Sequence, residues 1–196
     1  SSGKQGHAIA AALAGMGAET ILVTGPTSEA APPGVEIRRI ESAREMYDAC
    51  MGALPADIAV CAAAVADWRP AEQGGNEIKK DPNAAPPRIE MVENPDILRA
   101  LSAAGNQRPA LVVGFAAETE NLVENATAKR ARKECDWIIA NDVSPATGTF
   151  GSETNTVHLI TATAAEAWPA MRKTDVADRL AERIADHFKQ TTEAAE

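Results

Sequence analysis

Aromatic side chains are scarce in this sequence, with three Trp, three Phe and one Tyr making up 4% of 196 residues. A core built on large rings is therefore excluded, and its volume must come from aliphatic side chains. Cysteine is equally sparse. Cys50, Cys61 and Cys135 are an odd count with no CxxC spacing, which argues against a disulfide framework and against a zinc site. The three histidines, His7, His158 and His187, each lack a neighbouring His or Cys to complete a metal-ligand set. No apolar run reaches the roughly 20 residues of a membrane span, and no signal-peptide pattern is present, so a soluble cytoplasmic protein is expected. Positive charge is in deficit: 19 Lys and Arg against 28 Asp and Glu give a net charge of −9. That balance speaks against duplex nucleic acid or an anionic membrane as the main partner, while leaving room for a local basic site that takes a small anion.

What is abundant is alanine, 41 residues of it. Such small side chains suit helices lying closely on a sheet, and the length suits one domain. Strand and helix signals alternate through most of the chain. A helix is predicted from Lys4 to Met16, a strand from Thr20 to Val23, and another from Val35 to Ile40. Ser42 and Glu45 form a capping-box pattern ahead of the next helix. The small apolar run from Asp57 to Ala64 reads as a buried strand. Residues 71–87 lose periodicity and read as a long loop, followed by a half-exposed strand from Arg88 to Val92. Asn94-Pro95-Asp96 has the cap, first-turn proline and early acid of a helix start. Strands at Leu111 to Phe115, Trp137 to Ala140 and Thr156 to Ile160 follow, with helices near residues 121–134 and 175–189. Repeated strand-helix-strand units predict a mostly parallel sheet covered on both faces, with ligands bound in the loops after strands.

Four segments could carry chemistry. Ser1-Ser2-Gly3-Lys4-Gln5-Gly6 opens a helix as a phosphate-binding turn would, or as an ordinary tight turn would. Asp67, just past a buried strand, could hold a ribose hydroxyl or a magnesium ion, or simply cap its loop. Lys79 and Lys80 sit in the long loop, either closing over a charged substrate or solvated. Lys129-Arg130-Ala131-Arg132-Lys133 puts four cations near a helix end, where Lys129 and Lys133 share a face and could grip a polyphosphate or complement the helix dipole. A nicotinamide-dependent oxidoreductase is a competing class. It lacks support, because no acid follows Val23 to hold a ribose, and Tyr47 has no lysine four residues on.

Taken in order, SSGKQG at Ser1, GPTSEAAPPGV at Gly25, AAAVADWRP at Ala62, IKK at Ile78, MVENPDIL at Met91, VVGFAAET at Val112, KRARK at Lys129, ANDVS at Ala140 and FGS at Phe150 resemble the phosphopantothenate–cysteine ligase family of coenzyme A biosynthesis. The resemblance implies a Rossmann-like three-layer sandwich with a flexible lid loop and a C-terminal hairpin and helix, a homodimer, and CTP with Mg2+. It implies that 4'-phosphopantothenate is activated as an acyl-cytidylate and then joined to cysteine. It also implies a fused flavin-dependent decarboxylase domain; an alternative to the ligase function is a non-catalytic fragment retained for dimerisation or for binding that domain. By motif, Ser2, Gly3, Lys4 and Gly6 would hold phosphates, and Ala63 and Asp67 the nucleoside or its cation. Asn94, Pro95, Asp96, Ile97 and Phe115 would line the nucleotide pocket, Lys129 and Lys133 would meet the nucleotide, and Lys79 and Lys80 would lie on the lid.

Two departures from the family pattern stand out. Glu77 occupies a lid position that is commonly lysine, where its carboxylate would oppose a polyphosphate. The family also has a first strand and an asparagine before the Ser-Ser-Gly segment. Residues 1–190 are thus expected to form the ligase domain without its first strand, with a frayed tail over 191–196.

Overall fold

The computed structural model describes residues 2–72, 88–143 and 154–193. Helix α1 (Lys4–Gly15) leads into the parallel pair β1 (Thr20–Thr24) and β2 (Val35–Arg39), then α2 (Ala43–Met51) and β3 (Ile58–Cys61). The antiparallel arm β4 (Trp68–Pro70) and β5 (Met91–Glu93) follows, then α3 (Ile97–Ser102), β6 (Leu111–Glu118), α4 (Leu122–Lys133) and β7 (Trp137–Asp142). The remainder comprises β8 (Thr154–Asn155), β9 (Val157–Ile160), β10 (Ala165–Ala167), β11 (Met171–Arg172) and α5 (Lys173–Glu193).

Five strands form one sheet in the order β10-β9-β7-β6-β3. The neighbours β3, β6 and β7 are parallel, whereas β9 and β10 are antiparallel, so the expected mostly parallel sandwich is present with a hairpin at one edge. Side-chain alternation along the strands builds the three layers. Leu111, Val113, Trp137, Ile139, Val157 and Leu159 point to the layer of α1 and α5, where Ile9, Val176, Leu180 and Ile184 meet them. Val112, Ala116, Ile138, Ala140 and Ile160 point the other way, toward Leu98 of α3 and Ala126 of α4. A third apolar cluster, with Met46, Ile97 and Leu101 at its centre, joins α2 to α3.

Several expectations shift. Strand β3 stops at Cys61 and not at Ala64, and α5 starts at Lys173 and continues to Glu193. The capping box is present, with Ser42 accepting from the Glu45 N–H at 3.2 Å, but the Glu45 carboxylate takes the Glu41 N–H at 2.9 Å in place of that of Ser42. The cap of α3 is Asp96, whose carboxylate accepts from the Arg99 N–H at 3.1 Å. Asn94 is not the cap because α3 begins only at Ile97, and Asn94 is instead tied to the loop after β3 through the Ala66 and Asp67 carbonyls. The lid, with Glu77, Lys79 and Lys80, and the Phe150-Gly151-Ser152 motif lie outside the described residues.

Candidate functional site

Gly114 sits at the middle of β6, where the layer of α3 and α4 comes closest to the sheet. A Cβ there would meet a Leu98 methyl at 2.6 Å and an Ile138 methyl at 2.8 Å. The missing side chain lets α3 rest almost on the strand, and this close approach brings three distant segments together. Asp96 at the head of α3 pairs with Lys133 in the last turn of α4. One turn earlier, the Lys129 ammonium reaches the Phe115 carbonyl at 2.8 Å. Phe115 lies one residue beyond the point where β3 ends opposite Gly114, so β3 offers it no partner.

The electrostatics of this cradle follow from its partial burial. Burial opposes ionisation of Asp96, but the Lys133 hydrogen bond, the Arg99 N–H and the charges of Lys133 and Arg132 outweigh it and hold the carboxyl below its ordinary range. Burial pushes the Lys129 ammonium down, with only the Glu118 carboxylate and the Cys135 thiol working against that. Two lysines are thus held on protein oxygens where a more anionic ligand could take over either one.

The cradle lies across the sheet face and not wholly in the loops that follow strands. Lys133 closes α4 next to the start of β7, and Phe115 is the fifth of eight residues in β6. The cause is the length of α3: six residues span only about 9 Å, so its head stays close to mid-sheet.

Asn94 links the cradle to the loop after β3. Its N–H donates to the Asp67 carbonyl at 2.8 Å, and its side-chain amide donates to the Ala66 carbonyl at 2.8 Å. Ala63 and Asp67 are exposed there, with Pro95 and Ile97 on either side of the Asp96 cap. Asp67 stands apart from other ligand-type side chains, since no group of three or more His, Cys, Asp or Glu occurs among the described residues. One carboxylate with room for phosphate oxygens and water is the donor set that magnesium accepts.

The Ser2 to Gly6 segment forms a second centre. Gly3 caps α1 with φ 81°, a conformation that favours glycine. A Cβ on Gly3 would lie 2.9 Å from the Thr27 hydroxyl, which itself donates to the Ser2 carbonyl at 2.8 Å. The turn after β1 is thereby fastened to the turn before α1. No acidic residue occupies the first turn of α1, so its N-terminal amides and the exposed Lys4 leave this end electropositive. Gly6 faces open space. No hydrogen bond joins this centre to the cradle among the described residues.

The strand expected over Arg88 to Val92 is present as β5, shifted to Met91–Glu93, but sequence reasoning missed β4, its pairing with β5 and what the arm holds in place. Arg69 donates to the Glu93 carbonyl and, at 3.2 Å, to the Asn94 side-chain oxygen, fixing the corner on which Asn94 sits. A three-residue strand ending in proline carries no periodic signal. Alternation on the far side, around Arg88 to Val92, was the only trace of it.

Residues 1–188 match the family described as the DNA/pantothenate metabolism flavoprotein C-terminal domain. The coenzyme A biosynthesis bifunctional protein CoaBC of Escherichia coli (strain K12) is 41% identical over 192 residues, covering 97% of this chain and 47% of that protein. The chain spans about half the length of the curated relatives it matches, or less. Among solved structures, the C-terminal domain of a coenzyme A biosynthesis bifunctional protein CoaBC superposes with a TM-score of 0.77 at 32% identity, covering 97% of this chain and 85% of that one. A Cab2 mutant in complex with phosphopantothenate-cysteine has the same fold, with a TM-score of 0.67 at 14% identity over 100% of this chain and 81% of its own.

Proposed function

The chain belongs to this DNA/pantothenate metabolism flavoprotein C-terminal domain family, and from that premise we propose that it is the ligase unit of a coenzyme A biosynthesis protein, joining 4'-phosphopantothenate to L-cysteine with CTP. The observation that carries the reading is the convergence of Asp96, the Phe115 carbonyl, Lys129 and Lys133 from three separate segments into one cationic cradle beside an exposed carboxylate; the Phe115 ring packs on the other face of the sheet. Its overall identity to the CoaBC relatives supports the substrates, and the Cab2 complex has the same fold.

The chemistry assigned to these residues is charge management. The phosphopantothenate carboxylate attacks the α-phosphate of CTP, expelling pyrophosphate and leaving an acyl-cytidylate. The cysteine amine then attacks the acyl carbon and expels CMP, its surplus proton passing to solvent. A carboxylate is a weak nucleophile and both reactants are anions, so orientation and neutralisation dominate. The Ser2 to Gly6 turn, with Gly3, Lys4 and Gly6, would bind phosphate oxygens through amides and ammonium. Ala63 and the Asn94-Pro95-Asp96-Ile97 corner would flank the nucleoside beside the Phe115 backbone. Lys129 and Lys133 would exchange protein oxygens for the nucleotide. Asp67 would contribute one oxygen to Mg2+, whose role when bound is to offset phosphate charge. Lys79 and Lys80, outside the described residues, are assigned to the transferring phosphates.

A homodimer, a fused flavin-dependent decarboxylase domain and a cytoplasmic location complete the reading, the last supported by three unpaired cysteines. Calorimetric titration with CTP, ATP and NADPH in the presence of magnesium tests it. Micromolar CTP binding is expected, and NADPH binding without a CTP response would overturn the ligase. At the lid, Glu77→Lys is expected to tighten CTP binding by removing a like charge, read in the same titration.

A further inference from the structure

A cleft of about 440 Å³ opens between α2 and the β4–β5 arm, lined by Arg44, Tyr47, Asp48, Arg69, Glu93 and Asn94. It falls within the size range of small-ligand pockets. It meets the cradle at the Asn94-Pro95 corner but uses none of the cradle's cations. Its two walls differ in kind. On the arm, Arg69 is locked by the Glu93 carbonyl and the Asn94 side chain, so its guanidinium is oriented before any ligand arrives. On α2, the side chains of Arg44, Tyr47 and Asp48 make no hydrogen bond or ion pair among the described residues. Arg44 and Asp48 are four residues apart, a spacing at which such a pair commonly joins across a helix surface, yet here both remain available.

The charges in the cleft specify what fits. A phosphate dianion would find two guanidinium groups but would also face the carboxylates of Asp48 and Glu93. A simple cation would meet the reverse conflict. A small zwitterion satisfies both signs at once, placing a carboxylate against the arginines and an ammonium against the acids. The only sizeable apolar surfaces are the Tyr47 ring and Pro95, so the side chain of the ligand must be short.

We propose that this cleft is the amino-acid subsite, holding L-cysteine as its zwitterion with the carboxylate toward Arg44 and Arg69 and the ammonium toward Asp48 and Glu93. The proposal rests on the ligase reading and supplies the site for its second substrate. The Asn94-Pro95 corner is then shared by the nucleotide and amino-acid subsites.

The test is direct binding to the chain under reducing conditions, by calorimetry or ligand-observed NMR, with L-cysteine, cysteamine, 3-mercaptopropionate and inorganic phosphate as probes. Cysteamine lacks the carboxylate and 3-mercaptopropionate lacks the ammonium. L-Cysteine is expected to saturate, and each half-molecule to bind roughly tenfold more weakly, as loss of a charge-assisted contact implies. Arg44→Ala and Asp48→Asn, both at exposed helix positions, should each weaken L-cysteine roughly tenfold while leaving CTP binding unchanged. Displacement of L-cysteine by phosphate, equal binding of the half-molecules, no saturable cysteine binding, or indifference of cysteine to both substitutions would each overturn the subsite. CTP titration on the same samples keeps the two readings apart. Loss of the CTP response with cysteine binding intact defeats the ligase and leaves the subsite standing, whereas the converse defeats the subsite alone.

Discussion

The two faces of the five-stranded sheet are built from different materials. Toward α1 and α5 the strands present Leu111, Val113, Trp137, Ile139, Val157 and Leu159, large side chains packed against Val176, Leu180 and Ile184. Toward α3 and α4 they present Gly114, Ala116 and Ala140 among a few larger residues. The first face holds the helices at a distance set by bulky side chains, and its part in the candidate site is the turn at the head of α1, off the sheet surface. The second lets its helices approach until their ends carry Asp96, Lys129 and Lys133 onto the strands. The bulk of the core lies on one side of the sheet and the cradle on the other, and the strands' two-residue period keeps these two parts separate.

The comparison can be broken in order of expected effect. Leu180→Ala, at a fully buried position of α5, should destabilise the chain by roughly 2–5 kcal/mol in denaturant titration while leaving CTP affinity unchanged under folding conditions. A large loss of CTP affinity there would mean that the faces are not independent. Gly114→Ala should cost less, roughly 1–3 kcal/mol, because methyls of Leu98 and Ile138 must give way. It should nevertheless weaken CTP binding, since α3 and Asp96 move with Leu98. Unchanged affinity would sever the link between small residues and site geometry.

Asp96→Ala removes a helix cap and the partner of Lys133, and a loss of about 0.5–2 kcal/mol is expected at neutral pH. Because the folded state holds this carboxyl below 3.8, its contribution is complete above that value and disappears as pH falls through the lower folded pKa. The difference between the variant and the parent should therefore shrink below about pH 4 in melts taken across that range. The smallest effect concerns access. Burial, with lesser contributions from Cys50, Cys135 and Asp96, pushes the Cys61 thiol up to about 12. Alkylation at pH 8, mapped by mass spectrometry, should spare Cys61 in the native chain and reach it in denaturant. Rapid native labelling would mean that the α3 face opens far more than its packing indicates.

How much of this was legible in the sequence depends on whether a feature is local. The continuous apolar run at Leu111 to Phe115 and the helical spacing of Val176, Leu180 and Ile184 identify the sheet and its cover, because each pattern is written in neighbouring residues. The Ser42 cap was visible for the same reason. Asn94 and Asp96 were confused because both residue types cap helices, and only the path of β5 decides between them. The Asp96–Lys133 pair joins residues 37 apart, a contact that no periodicity announces. The cleft needed even more of the fold: Arg44 lies on a helix and Arg69 on a three-residue strand, and neither segment alone suggests a pocket. The family motifs narrowed the nucleotide residues but said nothing of Arg44 or Tyr47.

The fastening of α1 bears on the order in which the site is completed. The Gln5 side chain donates to the Lys173 carbonyl, 168 residues away, and accepts from Asn155, 150 residues away. Helix α1 also packs directly on α5. During synthesis, the turn at Ser2 to Gly6 precedes Asn155 and Lys173 by some 150 residues or more, so of its supports only the Thr27 hydroxyl is available early. The β6–α4–β7 unit can assemble from segments already emerged, so the cradle precedes the turn. A ribosome-bound chain stopped before α5 would carry Lys129 and Lys133 in place and the Ser2 to Gly6 turn tied to Thr27 alone.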